Sequence, residues 1–257
     1  MGTYGFLFLC SIGAVILSIG GLKLVRKYVP REILQPHHNV TGWYLSMGGT
    51  LYAVVLGFIV VDALNDFQAA RVTVEQEANG LHDIFHLSRG LGSPIDREIR
   101  GLCLNYARAV VEDEWQTMEN GEASPKAHNA MAELWHVVTL FKPSDSGQTN
   151  IHQTILDEMR EVGDARHTRL VGAIPSYDPV LWFVLIFGGA VMVVFTYFFG
   201  LDDEPIQILM TGLLAIILSL NIVLVSLFGT PFSGDVKVSA LPFQNDMNYF
   251  LQESGEK

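Results

Sequence analysis

Four stretches of the chain lack the polar interruptions that punctuate the rest. The first runs from about Tyr4 to Val25, with no charge before Lys23, and the second from Trp43 to Val61, closed by Asp62. The third runs from Val180 to Gly200 after the breaker Asp178-Pro179, and the fourth from Ile206 to Phe228 between Pro205 and Pro231. Each approaches the ~20 residues a helix needs to cross ~30 Å of hydrocarbon. Lipid offers no partner to a free backbone amide, so each stretch must be helical. Any one of them alone is compatible with a buried helix of a water-soluble protein. Four together predict an all-α, multi-pass membrane protein with four transmembrane spans. Trp43 and Tyr44 open the second span, Trp182 lies near the start of the third, and Tyr197 to Phe199 close it. Aromatic residues of this kind favour the membrane–water interface. The first stretch has no basic residue ahead of it, as a signal peptide would, and reads as a retained span.

Between spans two and three lies a polar block, residues 63–178, whose apolar residues recur at helical spacing. Phe67, Ala70, Val74, Ala78, Leu81, Phe85 and Ser88 follow one another at intervals of three and four, the stripe of an amphipathic helix. No turn residue separates Val61 from this stripe, so the second span continues as one long helix to about Gly90-Leu91-Gly92. Pro94 starts a second helix, roughly Ile95 to Glu119, with Asp96 and Glu98 in a first turn where the macrodipole favours acids. Ser124-Pro125 starts a third, to about Phe141. Lys142 to Asn150 reads as a solvated loop, and a fourth helix runs from Ile151 to about Val171. Four segments result: 1–62, two spans with a basic connection; 63–178, the helical extramembrane domain; 179–228, two spans; and 229–257, a mostly irregular C-terminal tail.

Composition narrows the function classes. Mean hydropathy is +0.30, only 17% of residues are charged, and the net charge is −11. Ordinary soluble chains carry roughly 25% charged residues, and disorder needs low hydrophobicity. The acidity argues against a nucleic-acid partner, since phosphate would be repelled. Two cysteines, Cys10 and Cys103, exclude a disulfide scaffold. There is no Gly-rich phosphate loop, nucleophile elbow or catalytic carboxylate pair, so the chain reads as a non-enzyme with no cofactor.

The run Gly49-Thr-Leu-Tyr-Ala-Val-Val-Leu-Gly-Phe58, followed by Ala70-Arg71 and Glu75-Gln-Glu-Ala-Asn79, resembles the signature of the bestrophin-like family of bacterial membrane proteins. Tyr106, Glu114-Trp115, Arg166 with Arg169-Leu170, the Pro205-to-Leu220 region and Pro231-Phe-Ser-Gly234 extend the match over most of the chain. The resemblance implies a homo-oligomer, pentameric in true bestrophins, whose second spans surround a central pore that a helical extramembrane part extends. Bestrophins also carry an acidic calcium clasp after the last span. Here Asp235 and Asp246 are scattered, and calcium activation is not carried over.

Within the second span, Gly49, Ala53 and Gly57 form a small-residue face suited to close helix packing. Roughly opposite lie Leu51, Val55, Phe58, Asp62 and Asn65, a face that lines either a pore or lipid. As a pore, it would place a hydrophobic constriction at Val55 and Phe58, of the kind that gates by dewetting, ahead of a polar mouth. Asp62 and Asp66, one turn apart, would form carboxylate rings that favour cations; the alternative is a solvated helix end or a pair with Arg71. His82 and His86, at i and i+4 with Glu75 and Asn79 on nearly the same face, have the spacing of a zinc or other transition-metal pair. They lack the adjacent glutamate of the metalloprotease motif and serve equally as surface or subunit-interface residues. Glu112, Asp113, Glu114 and Glu119 read as a solvated acidic face. Arg166, His167 and Arg169 serve ion pairing with those acids, or lipid headgroups and anions.

Lys23, Arg26, Lys27 and Arg31 crowd the first connection, which the positive-inside rule places in the cytoplasm, leaving the 63–178 domain extracytoplasmic. The bestrophin resemblance implies the opposite sidedness. The resulting expectation is a plasma-membrane homo-oligomer in the bilayer that conducts small ions. The alternatives are a non-conducting scaffold or sensor, or a metal transporter using His82 and His86.

Overall fold

The structure, a computed structural model, describes residues 3–34, 38–174, 179–199, 201 and 203–254. Its helices are α1 (Thr3–Tyr28), the short α2 (Arg31–Leu34), and α3 (His38–Leu87), which closes in a 3-10 turn at Ser88–Leu91. They continue with α4 (Ile95–Ala109), a π-helical turn (Val110–Glu114), α5 (Trp115–Thr117) and a 3-10 turn (Met118–Asn120). Then come α6 (Pro125–Leu140), α7 (Ser146–Ala173), α8 (Pro179–Tyr197), α9 (Glu204–Phe228) and α10 (Leu241–Ser254). No strand occurs among the described residues. Among the described residues four helices are long and apolar enough to cross a membrane: α1, α3, α8 and α9. The chain divides into a membrane unit, Met1–Asp66 with Tyr177–Gly229, and a helical unit, Phe67–Ser176 with Thr230–Lys257.

In the membrane unit, Leu56 of α3, Leu185 of α8 and Val225 of α9 form a small core, with Tyr52, Ile59 and Val60 against it. Close helix approach comes from α8. A Cβ added at Gly188 would sit 2.5 Å from the Tyr52 ring, and one at Gly189 3.2 Å from its hydroxyl. The Tyr52 hydroxyl donates to the Leu185 carbonyl at 2.8 Å, which satisfies a polar group inside an apolar bundle. Where α1 ends and α9 begins, Arg26 donates to the Leu201 carbonyl at 3.2 Å and to Gln207 Oε1. Gln207 in turn donates to the Thr196 carbonyl at 3.0 Å.

In the helical unit the predicted stripe of α3 is the buried one: Val74, Ala78, Leu81 and Phe85 are almost wholly enclosed. They meet Ile99, Cys103 and Tyr106 of α4, Leu134 of α6, and Ile155 and Met159 of α7 in one core. Three expectations from the sequence are corrected. The segment Lys142 to Asn150 is not all loop, because α7 begins at Ser146. Asp145 caps it by accepting the Gln148 N–H at 2.8 Å, while Gln148 Oε1 accepts the Ser144 N–H at 2.9 Å. Reciprocal capping of this kind starts a helix in a polar stretch. The helix expected from Ile95 to Glu119 is interrupted by the π-helical turn. The tail is not mostly irregular: α10 buries Phe243 and Phe250 completely. Phe243, Met247 and Phe250 have the i, i+4, i+7 spacing of a stripe, and burying a phenylalanine stabilises by roughly 1.5–3 kcal/mol.

Candidate functional site

Five of the polar residues that carried the family resemblance, Glu77, Tyr106, Glu114, Arg166 and Arg169, are far apart in the chain and meet in one place. Glu77 on α3, Glu114 at the end of the π turn, and Arg166 and Arg169 on α7 are all buried in the helical unit. Arg169 donates through Nε to Glu77 Oε2 at 2.6 Å, and through Nη2 to Glu77 Oε1 at 2.9 Å and Glu114 Oε2 at 2.8 Å. Arg166 donates to both oxygens of Glu114, with Nε at 3.3 Å from Oε2. The Tyr106 hydroxyl donates to Glu77 Oε1 at 2.5 Å. The Arg169 guanidinium also lies 5.3 Å from the Trp115 ring centroid and 5.9 Å from that of Phe243. Two cations and two carboxylates make a neutral quartet, the condition under which burial of charge is tolerable.

The π turn explains how Glu114 comes to face inward. In an unbroken α-helix Glu114 would project about 80° from Tyr106; one extra residue in the turn brings the two to within about 20°. Glu114 therefore leaves the solvated acidic face on which the sequence placed it. Its neighbours do not: Asp113 bonds Lys126 at 2.8 Å and Ser124 Oγ, and Glu119 pairs with Lys237. Burial opposes ionisation of Glu114, but the hydrogen bonds and charges of Arg166 and Arg169 outweigh it and hold its carboxyl below the ordinary range. Burial likewise works against the Arg169 charge, yet Glu77 more than offsets it and Arg169 stays protonated. Burial beside Glu77 pushes the Tyr106 phenol well up, so it remains a donor.

On α3 the structure leaves the proposed pore face without a partner among the described residues. Leu51, Val55 and Phe58 are 62%, 41% and 72% exposed, and Asp62, Asn65 and Asp66 are exposed as well. Arg71, the alternative partner for these acids, pairs with Glu75 at 3.4 Å. Ala53 is exposed, and a Cβ at Gly49 or Gly57 would meet nothing within 4 Å. In the helical unit the same helix exposes Ala69, Val72, Gln76, Asn79 and Asp83.

His82 and His86 stand with ring centroids 4.6 Å apart. His82 Nδ1 is committed to Asp246 Oδ1 of α10 at 3.0 Å. Among the described residues no group of three or more His, Cys, Asp or Glu is arranged to hold a metal ion. Burial, only partly relieved by the His82 hydrogen bond, pushes the Asp246 carboxyl up. Its other oxygen is buried without a hydrogen-bond partner. Sequence reasoning placed Asp246 in a loose tail and so missed it.

The model of the bestrophin-like domain matches residues 12–243 of this chain. The protein is an all-α, multi-pass membrane protein of the bestrophin-like family. The fold is similar to a crystal structure of a bacterial bestrophin homologue from Klebsiella pneumoniae carrying one substitution. The identity is 12%, coverage is 96% of this chain and 99% of that one, and the TM-score is 0.69. A second variant of a Klebsiella homologue gives 13% identity, 97% and 98% coverage and a TM-score of 0.67. A crystal structure described only as a membrane protein gives 13%, 98% and 98%, and 0.70. Curated proteins contain no match to the chain.

Proposed function

We propose that the chain assembles as a homo-oligomer, a pentamer by resemblance to bestrophins, around a central pore for small ions lined by the second span. The observation that carries this reading is the unpartnered face of α3, in which an apolar run, Leu51, Val55 and Phe58, gives way to the carboxylates Asp62 and Asp66. Lipid would accept the apolar part but not the acids, which are costly at a membrane boundary unless they face water. In a symmetric ring they become water-facing rings of negative charge, which attract cations and repel anions. The open space beside Gly49 and Gly57 supports the same assembly, because it admits the backbone of a neighbouring copy. By resemblance to bestrophins, whose extramembrane part carries a conduit, the exposed residues Val72, Gln76, Asn79 and Asp83 of α3 would line a polar path within the helical unit.

The test is planar-bilayer recording of the purified oligomer in asymmetric KCl, beside an Asp62→Asn, Asp66→Asn variant. The expected result is a cation-selective reversal potential that moves toward zero in the variant. An intact oligomer that stays silent across voltage, pH and divalent ions would leave the non-conducting scaffold as the better reading.

A further inference from the structure

We infer that the Glu77–Arg169–Glu114–Arg166 quartet positions the extramembrane half of α3, setting which of its side chains face the ion path. The inference rests on the pore reading above. From Leu81 on, α3 is anchored by the large enclosed side chains Leu81, Ile84 and Phe85. In the segment before them its enclosed apolar residues are the small Val74 and Ala78, and Gly80 lies so close to α7 that a Cβ would sit 2.7 Å from Val162. Small side chains permit close approach but restrain rotation weakly. A rotation of ~25° at a side-chain radius of ~5 Å moves an exposed tip by about 2 Å. That is enough to exchange Asn79 for a neighbour in a narrow conduit.

In that segment Glu77 supplies a directional restraint of its own. It accepts two bonds from the planar fork of Arg169 and a third from Tyr106, so its carboxylate is defined in direction as well as in place. Arg169 is fixed in its turn by Glu114 and by the rings of Trp115 and Phe243. The donors come from α4 and α7, the second acceptor from the π turn, and one of the rings from α10. Residues of α4, the π turn, α5, α7 and α10 thus converge on the network that Glu77 anchors. Glu77 follows Gln76 directly, so the two project about 100° apart. Clamping Glu77 inward therefore holds Gln76, and with it Asn79 and Asp83, outward. A buried ion network compares poorly with apolar packing as a source of stability, whereas fixing a register is its best-attested use.

The experiment compares wild type with Tyr106→Phe, Arg169→Lys and the double variant Glu77→Met, Arg169→Met. Each is checked for oligomer size and melting temperature. Two further readouts are the reversal potential and the reaction of an added Asn79→Cys with a charged, membrane-impermeant thiol reagent, in a Cys10→Ser background. Wild-type current with no detectable labelling of Asn79→Cys would remove the conduit on which the inference stands. Expected is a graded shift in reversal potential and a loss of labelling, smallest in Tyr106→Phe and largest in the double variant, even where melting is close to native. Folded Tyr106→Phe and Arg169→Lys oligomers with wild-type reversal potential and labelling would overturn the inference. A wild-type oligomer that passes no current would instead overturn the pore reading, a separate and recognisable outcome.

Discussion

Replacing Arg169 by methionine is the most demanding test of the helical unit's energetics. The change keeps the side-chain stem and removes the guanidinium, which is fully buried and serves both carboxylates. Glu77 is left with Tyr106 alone, while Glu114 keeps Arg166. Breaking a buried pair from one side costs about 3–5 kcal/mol, because the other charge remains desolvated. At about 2–4 °C per kcal/mol for a chain of this size, melting should fall by about 10 °C. Cys103 is a built-in reporter. It is wholly enclosed, and burial beside Asp246 lifts its thiol well above the ordinary range, so it stays inert to maleimide until the unit opens. The assay is a thermal ramp with a fluorogenic maleimide in a Cys10→Ser background. The double variant Glu77→Met, Arg169→Met should recover more than half of the loss, since no lone charge remains. A fall of less than about 2 °C for Arg169→Met, which corresponds to under about 1 kcal/mol, would refute the account of the quartet as a coupled buried network.

Other predictions follow from named contacts. Gly188→Ala should destabilise the membrane unit by about 1–3 kcal/mol through overpacking against Tyr52. Gly189→Ala should cost less, which melts of the two variants in one detergent would show. The folded-state pKa of Glu114 is depressed, so its contribution is present above an ordinary value of about 4.3 and is lost as pH falls through the lower folded value. Glu114→Gln should therefore flatten the acid limb of a melting-temperature-against-pH curve, and an unchanged limb would contradict this. Asp246 has the opposite sign: its raised folded pKa gives stability that is present below about 3.9 and lost as pH rises through the folded value. Asp246→Asn should accordingly lose less stability between those two points than wild type, read from the same curve.

The spans and the long α3 were legible because their signals are local: unbroken apolar runs and a period near 3.6. Val74, Ala78, Leu81 and Phe85 lie in the core, as their spacing alone required. The N-terminus of α7 was missed because its cap is a set of polar side chains inside a stretch whose composition is that of a loop. The signal for α10, Phe243, Met247 and Phe250, was present but short, and three aromatic or apolar residues in a tail look like scatter until a surface receives them. The Asp246–His82 bond was out of reach for the same reason, since it joins positions 164 residues apart.

What the sequence determined by itself was how much of the chain is apolar and with what period, because lipid and helix geometry each act on a window of some twenty residues or fewer. Which polar residues meet was settled by packing. Glu77, Tyr106, Glu114, Arg166 and Arg169 were each visible in the chain. Their convergence depends on a single extra residue in one helical turn, which rotates Glu114 out of water and into the reach of two arginines. A local pattern does not encode that rotation. It is favoured only once four elements are packed and an unpaired buried guanidinium would be the cost of the alternative.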